Sequence, residues 1–141
     1  MLNVSDDRNV RVAALVIISD AVDVEALTAA VGVPPDRSLG KGKVRPGSTL
    51  PFPAKEHSWE IRESGRRSVA ISEVIERLLC RAIPLRNAIM GVKKSGCEVK
   101  LKIIQWISDD DPHGPGFSLD GNALKFLADV GAFVDVDQYL E

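Results

Sequence analysis

Cysteine is nearly absent from this chain of 141 residues. Cys80 and Cys97 are the only two, and neither belongs to a CxxC pair or a cluster with histidine. A disulfide scaffold or a thiolate zinc site needs more cysteines at fixed spacings, so both are excluded, and the two thiols are expected to be buried as small apolar groups. Aromatic side chains are also sparse, at 5%. Trp59, Trp106, Phe117 and Tyr139 are therefore expected to serve the core and its margin rather than a base-stacking surface. Neither sign of charge dominates, because 18 Lys and Arg face 20 Asp and Glu for a formal net charge of −2. Such a balance supplies no field to draw in nucleic acid or an anionic membrane. No apolar run approaches the roughly 20 residues that span a bilayer. The stretch Met1 to Val10 carries Asp6 and Asp7 and lacks a basic segment followed by an apolar one, so a secretory leader is not expected and the location is expected to be cytoplasmic.

What is present is an ordinary globular composition, 45% hydrophobic and 27% charged, over a length that suits one domain spanning residues 1–141. Val10 to Ser19 is an aliphatic, β-branched run of the kind found in a central strand covered on both faces. Asp20 or Asp23 then caps a helix carrying Val24, Leu27 and Val31, which Gly32 and Pro34-Pro35 end. Residues 36–56 hold Gly40, Gly42, Pro46, Gly47, Pro51, Pro53 and five basic side chains. Little regular structure is expected there beyond a short strand near Arg37 to Gly40. His57 to Glu63 alternates, with Trp59 and Ile61 on one face. From Ser68 to Ser95, Ile71, Val74, Ile75, Leu78, Leu79 and Ala82 recur at helical spacing, and Leu85, Ile89 and Val92 continue the pattern past Pro84. The expectation is a long helix kinked or broken at Pro84 and closed by Gly96.

Cys97 to Ile107 reads as a second central strand, with Val99, Leu101 and Ile103 inward. Residues 108–116 form a turn-rich loop, Phe117 to Leu119 a short extended piece, and Asp120 an N-cap. The helix it opens is expected to bury Leu124, Leu127 and Ala128 before Gly131, and Phe133 to Tyr139 alternates as a half-buried strand. Leu15, Ile17, Val74, Leu78, Leu101, Ile103, Leu127 and Val134 are the expected core. This order implies an α+β fold, a single largely antiparallel or mixed sheet with helices on one face. It suggests a ferredoxin-like, split βαβ arrangement with a C-terminal extension.

Taken together, the opening strand and helix with Gly32-Val-Pro-Pro-Asp-Arg, the Gly-rich basic loop before Ser58-Trp59, and the segment Gly116-Phe-Ser-Leu-Asp with Leu124, Leu127 and Gly131 carry a family likeness. With the terminal Val134-Asp-Val-Asp-Gln-Tyr139, the chain resembles the family called domain of unknown function 4279 over nearly its whole length. The resemblance implies a bacterial source and carries no activity with it.

Three groups of residues offer candidate chemistry. Asp109, Asp110 and Asp111 with His113 put carboxylates and an imidazole in one loop, but the calcium-loop and zinc spacings are absent and adjacent aspartates repel one another, so a solvated turn is the simpler reading. The segment Arg37 to Arg45 presents Arg37, Lys41 and Arg45 among glycines, which suits an anion or an acidic partner, yet its spacing is not that of a P-loop. The aromatics are the third group. No nucleophile with a neighbouring base appears, and no metal or cofactor is expected. The leading expectation is a non-catalytic binding or protein-interaction module, of which an immunity-type protein that blocks a toxin is one form. The alternative is a small-molecule-binding domain or enzyme whose cleft lies between the 37–45 and 109–116 loops, with Arg37, Lys41, Arg45, Asp109 and His113 as weak candidate binding residues. A homodimer through the edge of the terminal strand is a third reading.

Overall fold

In the computed structural model, which describes residues 8–141, five strands form one sheet in the order β2-β3-β1-β4-β5. The central strand β1 (Asn9–Ser19) is the aliphatic run. It pairs antiparallel with β3 (His57–Arg66) on one side and with β4 (Glu98–Ile107) on the other. β2 (Arg37–Leu39) is a short edge strand beside β3, and β5 (Phe133–Leu140) lies parallel to β4 at the opposite edge. A parallel neighbour requires a crossover, and α4 (Gly121–Asp129) supplies it. The sheet is thus mixed, and its helices gather on one face.

Alternation along β1 sorts the two faces. Ala13, Leu15 and Ile17 join Trp59, Ile61, Val99, Leu101 and Ile103 in the core beneath the helices. Over them lie α1 (Val24–Val31), α2 (Ile71–Ala82) and α3 (Arg86–Lys94). Asp23 caps α1 by accepting from the Ala26 backbone at 2.8 Å, and Gly32 ends the helix at φ +89°, a conformation that side chains with a Cβ rarely adopt. The helix expected to break at Pro84 does so: Ile83–Leu85 tighten into a 3-10 turn between α2 and α3, which fits a proline that cannot donate to the preceding turn. Gly65 permits the close approach of α2 to β3, because a Cβ there would sit 2.9 Å from Val74 Cγ2.

Five expectations need correction. Leu127 is buried as expected, but Leu124 is 54% exposed and Ala128 is exposed too, and α4 buries Ala123 and Phe126 in their place, so its apolar face is rotated from the expected one. Val134 is not core: it shares a face with Leu101 but is 39% exposed, because β5 is the last strand and has a neighbour on one side only. Cys80 is exposed, lying off the Ile71-Val74-Ile75-Leu78 stripe, whereas Cys97 is buried. Phe117 to Leu119 forms no strand, and β3 runs on to Arg66.

Candidate functional site

The open face of the sheet is built from the other half of each alternation. Ala14 is flanked by Arg62 and Lys102, and Val16 by Glu60 and Lys100. Val12, Ala14 and Val16 are buried but lie outside the core cluster beneath the helices. Ala14 and Val16 have long charged side chains on both sides, whose stems can shield apolar neighbours while their heads reach water, and Val12 lies between Ser64 and Ile104. Outward from β1, Glu60 stands between Arg37 and Arg62 at 3.9 and 3.7 Å. On the other side Lys100 and Lys102 reach Asp135 and Asp137 at 3.6 and 3.7 Å. All four separations exceed hydrogen-bond length, so these charges are mutually attracted but not locked. Burial, then the neighbouring Arg37 and, after the opposing pull of Glu60, Arg45, lower the pKa of the Arg62 guanidinium. Cations are therefore crowded around a single carboxylate. Near the far edge, Trp106 and Tyr139 stack with ring centroids 5.6 Å apart.

β5 completes this surface. Its exposed apolar side chains are Phe133 and Tyr139 on the open face and Val134, Val136 and Leu140 on the other. The strand is eight residues long and contains neither proline nor glycine. Among the described residues its backbone pairs with β4 alone, so the outward row of N–H and C=O groups is free.

A second polar site lies on the covered face, at the end of the sheet where β1 begins. Arg11 is wholly buried, and Asp111 nearly so, their side chains 0% and 2% exposed. Arg11 donates to Val69 O at 3.0 Å, Arg67 O at 3.3 Å, Gln105 Oε1 at 3.4 Å and Asp111 Oδ1 at 2.5 Å. Asp111 Oδ1 also accepts from the backbone of His113 and Gly114, each at 2.9 Å. Gln105 in turn donates to Pro115 O at 2.9 Å. Burial alone would raise the Asp111 carboxyl, but the Arg11 hydrogen bond and the two backbone donors outweigh it and hold the carboxyl below its usual range. This knot ties the 108–116 loop to the 66–69 turn and to two strands. The Arg11 guanidinium is enclosed by oxygen acceptors, while the second carboxylate oxygen of Asp111, Oδ2, is buried without a hydrogen-bond partner.

The residues singled out from the sequence are dispersed by this arrangement. Lys41 pairs with Asp20, and its backbone donates to His57 Nδ1 at 3.0 Å. His57 is opposite Ser19, at the far end of β1 from Arg11. Asp111 is held at Arg11, and His113 Nε2 lies 3.1 Å from Ser68 O. Eight residue steps along β1 from Arg11 to Ser19 set the Lys41–His57 end roughly 26 Å from the Asp111–His113 end. The cleft expected between the 37–45 and 109–116 loops therefore does not form, and Lys41 does not meet Asp109 or His113. Arg37 and Arg45 instead join Arg62 on the open face. Sequence reasoning missed Arg11, Gln105 and Arg62. The available signal was Arg11 itself, a charge inside a run whose neighbours are all buried.

Grooves lie among the helices in the described residues. One, about 410 Å³, runs between α2 and the start of α4 and is lined by Ile75, Leu79 and Leu119 with Glu76, Cys80 and Asn122. Among the described residues no three His, Cys, Asp or Glu side chains are placed to share a metal ion, and no helix is long and apolar enough to cross a membrane. No curated protein and no solved structure matches the chain. The model of the domain of unknown function DUF4279 matches residues 8–141, and the chain belongs to that family.

Proposed function

We propose that this domain is a non-catalytic interaction module that engages a protein partner through β5 and the adjoining open face of the sheet. The observation that carries the reading is the uncovered edge strand, with five exposed apolar side chains from Phe133 to Leu140. Soluble proteins ordinarily shield such an edge with short strands, prolines or outward charges. Here the two charges on β5, Asp135 and Asp137, lean inward over β4 toward Lys100 and Lys102. The antiparallel part of the sheet, β2-β3-β1-β4, reads as a split βαβ unit of ferredoxin-like type. In that reading α4 and β5 are a C-terminal extension, and the extension is the recognition element. An immunity-type protein that masks a toxin is one biological form such a module takes.

The test is capture from a lysate of the native host on immobilised protein, run beside a Y139S/L140S variant. Tyr139 and Leu140 are 49% and 89% exposed, so the variant should fold with little loss. The expected result is a stoichiometric protein partner held by the wild type and lost by the variant. Recovery of the bait alone, or equal capture by both, would overturn the reading.

A further inference from the structure

Resting on the interaction reading above, we infer that the partner binds by adding an extended segment to β5 as a sixth strand, and that this segment alternates basic with apolar side chains. Strand addition uses the free outward N–H and C=O groups of an edge for affinity, and alternate side chains for specificity. Along β5, Phe133, Asp135, Asp137 and Tyr139 share the open face, while Val134, Val136, Gln138 and Leu140 share the other. The second set offers apolar contact, since Val134, Val136 and Leu140 are 39%, 40% and 89% exposed. The first set offers two carboxylates spaced one residue apart. Their lysines stand at 3.6 and 3.7 Å, too far for a direct hydrogen bond, so each carboxylate keeps lone pairs for an incoming cation. Opposite charges across neighbouring strands stabilise pairing and like charges oppose it.

The same carboxylates disfavour a second copy of this chain. Antiparallel pairing of two β5 strands about Val136 sets Asp135 of each copy across from Asp137 of the other, and repulsion follows. A basic segment from another protein meets no such obstacle.

The probe is a short end-blocked peptide alternating lysine with valine, used below its own aggregation concentration and compared with its glutamate–valine counterpart. Backbone amide shifts of the whole protein are followed during titration. The lysine peptide should move the amides of residues 133–140 saturably and bind about tenfold tighter than the glutamate peptide. D135N/D137N should abolish that preference, and D135K/D137K should reverse it; the neutral variant suffices if the reversed one folds poorly. Equal binding of the two peptides, shifts confined to other elements, or β5 amides already protected by self-association would overturn the proposal. If Y139S/L140S still abolishes capture from lysate while the peptides show no discrimination, strand addition fails and the interaction reading stands.

Discussion

Two sets of charges, on opposite faces of the same sheet, are treated in opposite ways. On the covered face Arg11 meets Asp111 at 2.5 Å with three further oxygen acceptors around its guanidinium. On the open face Lys102 stands 3.7 Å from Asp137 and Arg62 3.7 Å from Glu60. Surface helices show that tight pairs are available to this chain, for Arg86 meets Asp129 at 2.9 Å. Pair length does not follow exposure, since Lys41 meets Asp20 at 2.5 Å with side chains 46% and 74% exposed; what burial changes is the cost of losing a partner. A charge removed from water must have its hydrogen bonds replaced by protein, whereas one at the surface keeps them from water and gains little by locking. Burial thus makes the first set a fastener, and exposure leaves the second free to be re-paired by a partner.

The largest effect should come from opening the fastener. D111A leaves Arg11 buried without its counter-ion and is expected to cost about 3–5 kcal/mol, while K102A on the open face costs no more than about 1 kcal/mol. Urea denaturation of the two variants gives both values, and similar losses would erase the contrast. Next, the paired positions Leu101 and Val134 compare interior with edge on one face. L101A should cost about 2–5 kcal/mol and V134A less than about 1 kcal/mol, read from the same curves.

Acid sharpens the comparison by titrating one face. The folded Asp111 carboxyl lies below the ordinary value of 3.8, so its contribution is fully present above that value and is lost as pH falls through the lower folded one. Wild-type protein should therefore lose more stability between pH 6 and pH 3 than D111N does. Asp36, lowered chiefly by its Arg81 hydrogen bond, works in the same direction and remains in both proteins. The smallest effect belongs to R37A/K41A/R45A. With Arg37 only loosely paired and Lys41 joined to an exposed Asp20, thermal unfolding should show a loss of less than about 1 kcal/mol.

The covered face was largely legible in the sequence, because a wide apolar stripe leaves one choice of inward side. Ile71, Val74, Ile75 and Leu78 on α2, and Val99, Leu101 and Ile103 on β4, lie where periodicity put them. Pro84 marked the break between α2 and α3. The Arg11 knot was hidden for a different reason: its partner is 100 residues away, and no local pattern links a strand arginine to a loop aspartate. Asp111 looked like one of three equivalent carboxylates, although its Oδ1 alone gathers Arg11 and two backbone donors. β5 misled because strict alternation says that two faces differ without saying that either is covered. Exposure of Val134 is set by strand order, which alternation does not encode.

The central claim is that the covered face holds the fold and the edge strand β5 does the recognising. Amide hydrogen exchange of the free protein and of its complex with the captured partner tests this most directly. Slowed exchange concentrated in residues 133–140, with β1 and β4 already protected in the free protein, is the expected outcome. Unchanged exchange in β5, with new protection in the groove between α2 and α4 or in residues 37–45, would contradict it.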